Sequence, residues 1–299
     1  MQSERRVLES PNPTLINSGV FLMNAKRLVL AVLVVFVVAL LAGSVFAVER
    51  KIAFLSMLNI TAEEYQKNAD AFIGAGKVKV FTSGESYTIT TAFYDSLTSM
   101  IMALNAGEVD EISLPEPVAE YVMNVNDGFE IASIVRIMPA SLAMGFRKDD
   151  DTLRKKFNEA LFSMKADGAL TILRAKYIDM PGYDDPEPVK FDKFENVDTT
   201  IKVAVTGDIP PIDYIAPDGT PAGFNTAVLA EIASRMKVNV QLVNIESGAR
   251  AAALASKRVD VVFWFRTDTG VEVQADVPEG IVLSEEYYNW KQDLHVKKK

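Results

Sequence analysis

Ile201, Val203 and Val205 alternate with Lys202, Ala204 and Thr206, and this period of two predicts a strand. The pattern stops at Gly207-Asp208, and Pro210-Pro211 exclude both a helix and a central strand there. Asp218-Gly219 predicts a tight turn between short extended pieces at 212–216 and 220–222. After Gly223-Phe224-Asn225, the spacing of Val228, Leu229, Ile232 and Met236 predicts an amphipathic helix, with Asn225 as its N-cap. A strand that runs into a Gly/Asp/Pro loop and then a helix is how α/β sheets present a ligand crevice at their strand ends. No phosphate-loop glycine pattern accompanies it, so a nucleotide is not the expected guest.

The same periodicities organise the rest. Buried strands are predicted at 51–56, 78–81, 109–114, 238–245 and 259–265, and extended pieces at 131–137 and 141–147. Thr61 and Glu64 fit a capping box that opens a short helix. Residues 82–91, rich in Gly, Ser and Thr, read as a loop. Leu97, Ile101 and Leu104 predict a helix over 94–106, closed by Gly107. Further helices are predicted from Pro115 through Met123, from Asp149 to Lys165, from Gly168 to Tyr177, and over 248–256. Residues 277–286, Tyr287-Tyr288 and 294–297 complete the chain. Pro181, Gly182, Pro186, Pro188 and many acids mark 180–199 as a linker.

Charge and composition narrow the chemistry. The net charge of −9 over 299 residues argues against nucleic acid as partner. No cysteine is present, which excludes disulfides, thiolate metal sites, thiol nucleophiles and a lipid-modified N-terminal cysteine. One histidine, His295, lies near a Lys-rich C-terminus and reads as a surface residue, so histidine-cluster zinc chemistry is out. No cofactor and no metal are expected.

Near the N-terminus, Lys26 and Arg27 precede a continuous apolar run over 28–41, and Val45-Phe46-Ala47 forms a small-residue cleavage pattern. Residues 23–47 read as a signal peptide behind an over-extended start at 1–22. The rival is an uncleaved anchor, since 28–46 is nearly long enough to span a bilayer. Either reading puts the remainder outside the cytoplasm, periplasmic or extracellular.

The order strand, Pro-Pro, aromatic, Asp-Gly, Gly-Phe-Asn, amphipathic helix resembles lobe one of the family 3 solute-binding proteins. These are the type II periplasmic receptors that deliver amino acids and similar solutes to ABC importers. The tract SLAMGFRKDDDTLRKKFNEALFSMKADGALTILRAKYI resembles the closing segment of the same family, a strand crossing back between lobes and then a helix pair. The resemblance implies an α/β fold of two lobes, each a small sheet flanked by helices. It also implies a small polar solute, an amino acid or similar, bound between the lobes of a monomer that docks on an ABC permease in the membrane.

Two segments an interval of 150 residues apart, 103–110 and 253–260, each read as helix end, sharp turn, Val-Asp and buried strand, as two similar lobes require. The family order is inverted, however. Residues 48–147 resemble lobe two, 148–179 the closing helix pair, 180–199 a linker, and 200–299 lobe one with a C-terminal crossover strand. Circular permutation is the simplest account; a fragment of a tandem receptor is the rival.

A cleft that holds a zwitterion needs a cation near its carboxylate and an anion near its ammonium. Arg266, followed by Thr267 at the end of the strand over 259–265, resembles the family's threonine-and-arginine loop, with altered spacing. Its bland alternative is a surface ion pair. Arg250 is the second cation candidate. Asp208, Asp213 and Tyr214 lie on the loop and hairpin that wall the family's cleft, and Trp264 is either core or cleft wall. Ser56, Asn59 and Thr61 stand where the family keeps a Gly-Thr-Thr motif, which is missing. Glu116 could substitute for the family's ammonium-binding aspartate or serve only as a first-turn acid of its helix. A dehydratase-like enzyme is the least favoured function, because no positioned acid–base pair is legible. A membrane-tethered sensor or a non-transporting remnant stays open.

Overall fold

The computed structural model describes residues 48–299 apart from 57–60, 62, 65–66, 68–78, 82–86, 137–139, 180–187, 196, 198–199, 217 and 269–275. The expected signal peptide and N-terminal extension (1–47) lie outside the described residues, as does Asn59.

Two six-stranded sheets form two lobes. The first runs β2 (Lys79–Phe81), β5 (Phe129–Arg136), β15 (Asp293–Lys298), β4 (Glu111–Pro115), β1 (Val48–Leu55), β3 (Tyr87–Tyr94). The second runs β11 (Asn239–Asn244), β7 (Thr200–Val205), β12 (Val261–Asp268), β6 (Ala140–Arg147), β13 (Ile281–Leu283), and β14 (Tyr288–Trp290) also pairs with β6. In each sheet three parallel strands, β3, β1 and β4 or β11, β7 and β12, meet a fourth antiparallel one. That fourth strand is delivered from the other lobe, β15 from β14 and β6 from β5. Trp290 at the end of β14 pairs with Ala140 at the start of β6, and Asp293 at the start of β15 pairs with Val135 of β5, so the two crossings start and end beside each other.

The 150-residue repeat has a structural counterpart. Asp110 accepts from the Lys51 amide at 2.7 Å, and Asp260 accepts from the Lys202 amide at 2.9 Å. Each aspartate also donates its own amide to the carbonyl of that lysine, at 2.8 Å. The Val-Asp pair therefore ties the turn after a helix to the neighbouring parallel strand in both lobes.

Helix α1 (Leu97–Ala106) starts on Ser96, whose hydroxyl accepts from the Ser99 amide, and ends on Gly107 at φ 74°. It buries Leu97, Met100, Ala103 and Leu104 against the first sheet. Helix α2 (Glu116–Val125) follows β4 directly, with Pro117 in its first turn, where a missing N–H costs nothing. Between β6 and β7 lie α3 (Asp151–Asp167) and the shorter α4 (Ala169–Arg174). Phe157 of α3 packs edge-on against Phe146 of β6 at 5.1 Å. Helix α5 (Phe224–Met236) buries Val228, Leu229 and Ile232, and α6 (Arg250–Ala255) follows a 3-10 turn at Ser247–Ala249. Each such fully buried aliphatic or aromatic side chain contributes about 1.5–3 kcal/mol.

Four expectations need correction. The stretch 82–91 is not all loop, because Tyr87–Tyr94 form β3, with Thr, Ile and Phe residues suited to a strand alongside β1. The helix consequently begins at Leu97, not Tyr94. Asn225 does not cap α5: Gly223 does, and Asn225 lies buried in the first turn, accepting from the Tyr287 hydroxyl at 3.0 Å. Gly223 holds φ 99°, and a Cβ there would meet the Ile212 carbonyl at 2.6 Å. The expected linker is bound over its described part. Val189 donates to the Pro221 carbonyl, and the Phe194 backbone exchanges two 3.0 Å hydrogen bonds with the Asn239 side chain. Finally, His295 is buried, 3.2 Å from Glu111, because β15 is a central strand flanked by β4 and β5. The lysines beyond it had suggested an exposed tail.

Candidate functional site

A cavity of about 80 Å³ lies between the two sheets, at the carboxyl ends of their parallel strands. From the first lobe, Phe54, Leu55 and Ser56 after β1 and Ser113, Leu114 and Pro115 of β4 border it. From the second lobe come Ile209 and Ile212 of the loop after β7, Ser247 and Arg250 after β11, and Trp264 and Arg266 of β12. Trp290, Asp293 and Leu142 at the crossings and Asp276 complete the wall.

Arg250 is 1% exposed, and its guanidinium makes four hydrogen bonds within its own lobe. It donates to the carbonyls of Ser247, Phe263 and Trp264 and to the Ser247 hydroxyl. Its plane lies over the Trp264 ring, 4.6 Å from the centroid. Burial pushes its pKa down to about 10, against the field of Asp213. Trp264 itself sits in a register irregularity of β12 at φ 76°, a conformation that a bulky residue rarely adopts. The chain has one residue too many at this point, and the irregularity turns the indole toward the cavity.

Asp213 stands behind this pair, fully buried. Its carboxylate accepts from the Thr206 hydroxyl, from the Gly207 amide at 2.7 Å and from the Trp264 indole N–H at 3.1 Å. Burial raises its pKa, while the Thr206 and Gly207 donors and the Arg250 charge work the other way.

Arg266 is engaged by Asp293 at 2.7 Å, and its guanidinium lies 5.4 Å from the centroid of Trp290. The ion pair anticipated as the alternative is present, at the cavity wall and with Asp293 buried. Thr267 points elsewhere and donates to Glu286 at 2.9 Å.

Several other nominated residues join the lobes, Ser56 at the cavity wall and Asp208 and Tyr214 outside it. Asp208 accepts from the Leu97 amide at 2.9 Å, so a carboxylate of the second lobe sits on the N-terminus of α1 in the first. Burial and the nearby Asp213 charge raise its pKa to about 6. Ser247 donates its hydroxyl to the Ser56 carbonyl at 2.9 Å, beside a long amide contact to the Asp95 carbonyl. Tyr214 packs 6.3 Å from Tyr121 of α2, and burial lifts its phenol to about 12. Glu116 accepts from the Gln292 amide side chain and binds the second crossing to α2. Thr61 is exposed and forms the expected capping box with Glu64. Trp290, Asp293, Asp276, Ser113 and Phe54 escaped the sequence reading. Only the position of the first two beside a crossing could have singled them out.

Residues 201–299 match the model of the bacterial extracellular solute-binding proteins, family 3. Over this C-terminal third the chain is similar to that family. The match includes Arg250, Trp264 and Arg266. Three solved structures illustrate the likeness. One is the ligand-binding component of an ABC-type import system from Staphylococcus aureus with zinc bound, at 10% identity and TM-score 0.41. It aligns with 84% of this chain and 66% of its own, so the chain spans a little under two thirds of its length. Full-length CbnR complexed with its target DNA aligns at 12% identity over 94% of this chain and 74% of its own, TM-score 0.38. An ancestral arginine-binding protein bound to arginine aligns at 13% identity over 84% of each chain, TM-score 0.38. No curated protein sequence matched.

Among the described residues no group of histidine, aspartate and glutamate side chains has the arrangement of a metal site. None of their helices is long and apolar enough to cross a membrane.

Proposed function

We propose that the protein is an extracytoplasmic receptor that encloses a small solute between its lobes and presents it to an ABC importer. The observation that carries this reading is the cavity at the carboxyl ends of β1, β4 and β12, between lobes joined by two adjacent crossings. Two adjacent antiparallel crossings form a hinge about which such lobes swing, so closure excludes water from a bound solute. Asp208 on α1 and Ser247 on Ser56 are the contacts that closure forms. The binding role is preferred to an enzymatic one because, among the described residues, Arg266 and Asp293 hold each other and Arg250 is held by carbonyls of its own lobe.

The same reading takes the lobe order as a circular permutation with the domain limits given above. It is supported by the completion of each sheet within this one chain, β15 serving the first and β6 the second. The apolar segment at 28–46 is read as the export signal.

Thermal denaturation against a broad panel of amino acids, organic acids, polyamines and neutral amides tests the receptor. A solute at a hundred times its dissociation constant adds about 2.7 kcal/mol of stability, several degrees of midpoint. One cooperative transition that no solute moves would sink the reading in favour of a sensor or a remnant that keeps the fold without binding.

A further inference from the structure

The sequence holds two tryptophans, and both border the cavity. They are built alike. The Trp264 N–H is taken by Asp213 and its face is covered by Arg250. The Trp290 N–H is taken by Asp293 at 2.7 Å and its face is approached by Arg266. In both units an aspartate fixes the ring in its plane and an arginine packs on it, so both indoles are rigid walls.

The arrangement has an electrostatic consequence. The charged side chains at the cavity, among the described residues, are Arg250, Arg266, Asp276 and Asp293, two cations and two anions. Arg250 is committed to three carbonyls and a hydroxyl of its own lobe, and it feels the field of Asp276. Arg266 and Asp293 hold each other. A solute carboxylate or ammonium entering here would lose its hydration in a wall whose two cations and two anions balance, where Arg266 is already paired with Asp293 and the donors of Arg250 are spent on its own lobe, which is unfavourable. Much of the remaining wall is apolar, from Phe54, Leu55, Leu114, Ile209 and Ile212, with the hydroxyl-bearing Ser56, Ser113 and Ser247 between.

Resting on the receptor reading, we propose that the cavity selects a small uncharged solute. Its apolar body packs on the indoles of Trp264 and Trp290, and its neutral polar head meets the serines. The carboxylate-capturing role that the sequence suggests for Arg266 is thereby replaced by a structural one.

Three compounds with one carbon skeleton separate the possibilities: 3-methylbutanamide (neutral), 3-methylbutanoate (anionic) and valine (zwitterionic). Each is titrated into the full chain with tryptophan emission and calorimetry as readouts. The inference expects the amide to shift the emission saturably. It also expects the amide to bind at least about tenfold more tightly than its charged analogues, equally in low and high salt. Asp293→Asn keeps an acceptor for the Trp290 N–H but removes the charge opposing Arg266. That variant should gain about tenfold in affinity for 3-methylbutanoate relative to the amide. Tighter binding of valine or 3-methylbutanoate by the unaltered protein would overturn the inference while leaving the receptor standing. An amide that neither binds nor shifts the emission overturns it as well, and the broad thermal panel then judges the receptor separately.

Discussion

The indole N–H of Trp264 donates to Oδ2 of Asp213 at 3.1 Å, the two residues lying 51 positions apart in the chain. This bond holds a tryptophan at φ 76°, a backbone state that costs on the order of 1–3 kcal/mol and persists only where the surroundings enforce it. Asp213→Ala would leave the Thr206 hydroxyl, the Gly207 amide and the indole without their acceptor. A loss of about 3 kcal/mol or more is expected in urea unfolding, and Asp213→Asn should cost clearly less because it keeps an acceptor.

Arg250 makes its contribution by donating to carbonyls that have no strand partner at the irregularity in β12. Arg250→Met preserves bulk over Trp264 but removes every donor. It should destabilise the fold by about 3 kcal/mol in chemical denaturation. An Arg250→Met protein of normal stability would mean that the guanidinium is held for a ligand instead.

Asp208 gives the interlobe contact a pH dependence of definite sign. Its pKa is raised to about 6 in the structure, above that of the exposed carboxylate of the open or unfolded chain. Folding and closure therefore bind a proton. This contribution to stability is present in full below about pH 4 and is lost as the pH rises through about 6. The thermal midpoint of the native protein, measured relative to Asp208→Asn, should rise as the pH falls from 7 toward 4. A difference that stays flat across that window would place Asp208 in water.

Ser247 bonds the first lobe through the Ser56 carbonyl and also accepts from Arg250. Ser247→Ala should weaken closure by about 1 kcal/mol, roughly fivefold in affinity for any solute held between the lobes. Calorimetry on the variant measures this directly. The effect should appear in the dissociation rate more than in association, because the contact forms after encounter.

Gly223→Ala tests the turn into α5. An added Cβ would press on the Ile212 carbonyl at 2.6 Å, where φ is 99°. A loss of about 2 kcal/mol or more is expected from strain together with displacement of the hairpin beside the cavity.

The elements of this protein follow from local rules that need no tertiary partner. Ile201, Val203 and Val205 set a strand by their period, and Ser96 and Gly107 delimit a helix by their caps. The Val-Asp turns at 110 and 260 announce two similar lobes, and in both of them the aspartate meets the backbone amide of the neighbouring strand. Which charges would be available to a solute was not legible. Arg266 and Asp293 are 27 residues apart, Leu97 and Asp208 are 111, and Ser56 and Ser247 are 191. A sequence lists cations and anions without saying which of them neutralise each other. Only the packing of two sheets joined by paired crossings brings those groups within hydrogen-bond reach. It buries His295 by the same means, by placing the last strand at the centre of the first sheet.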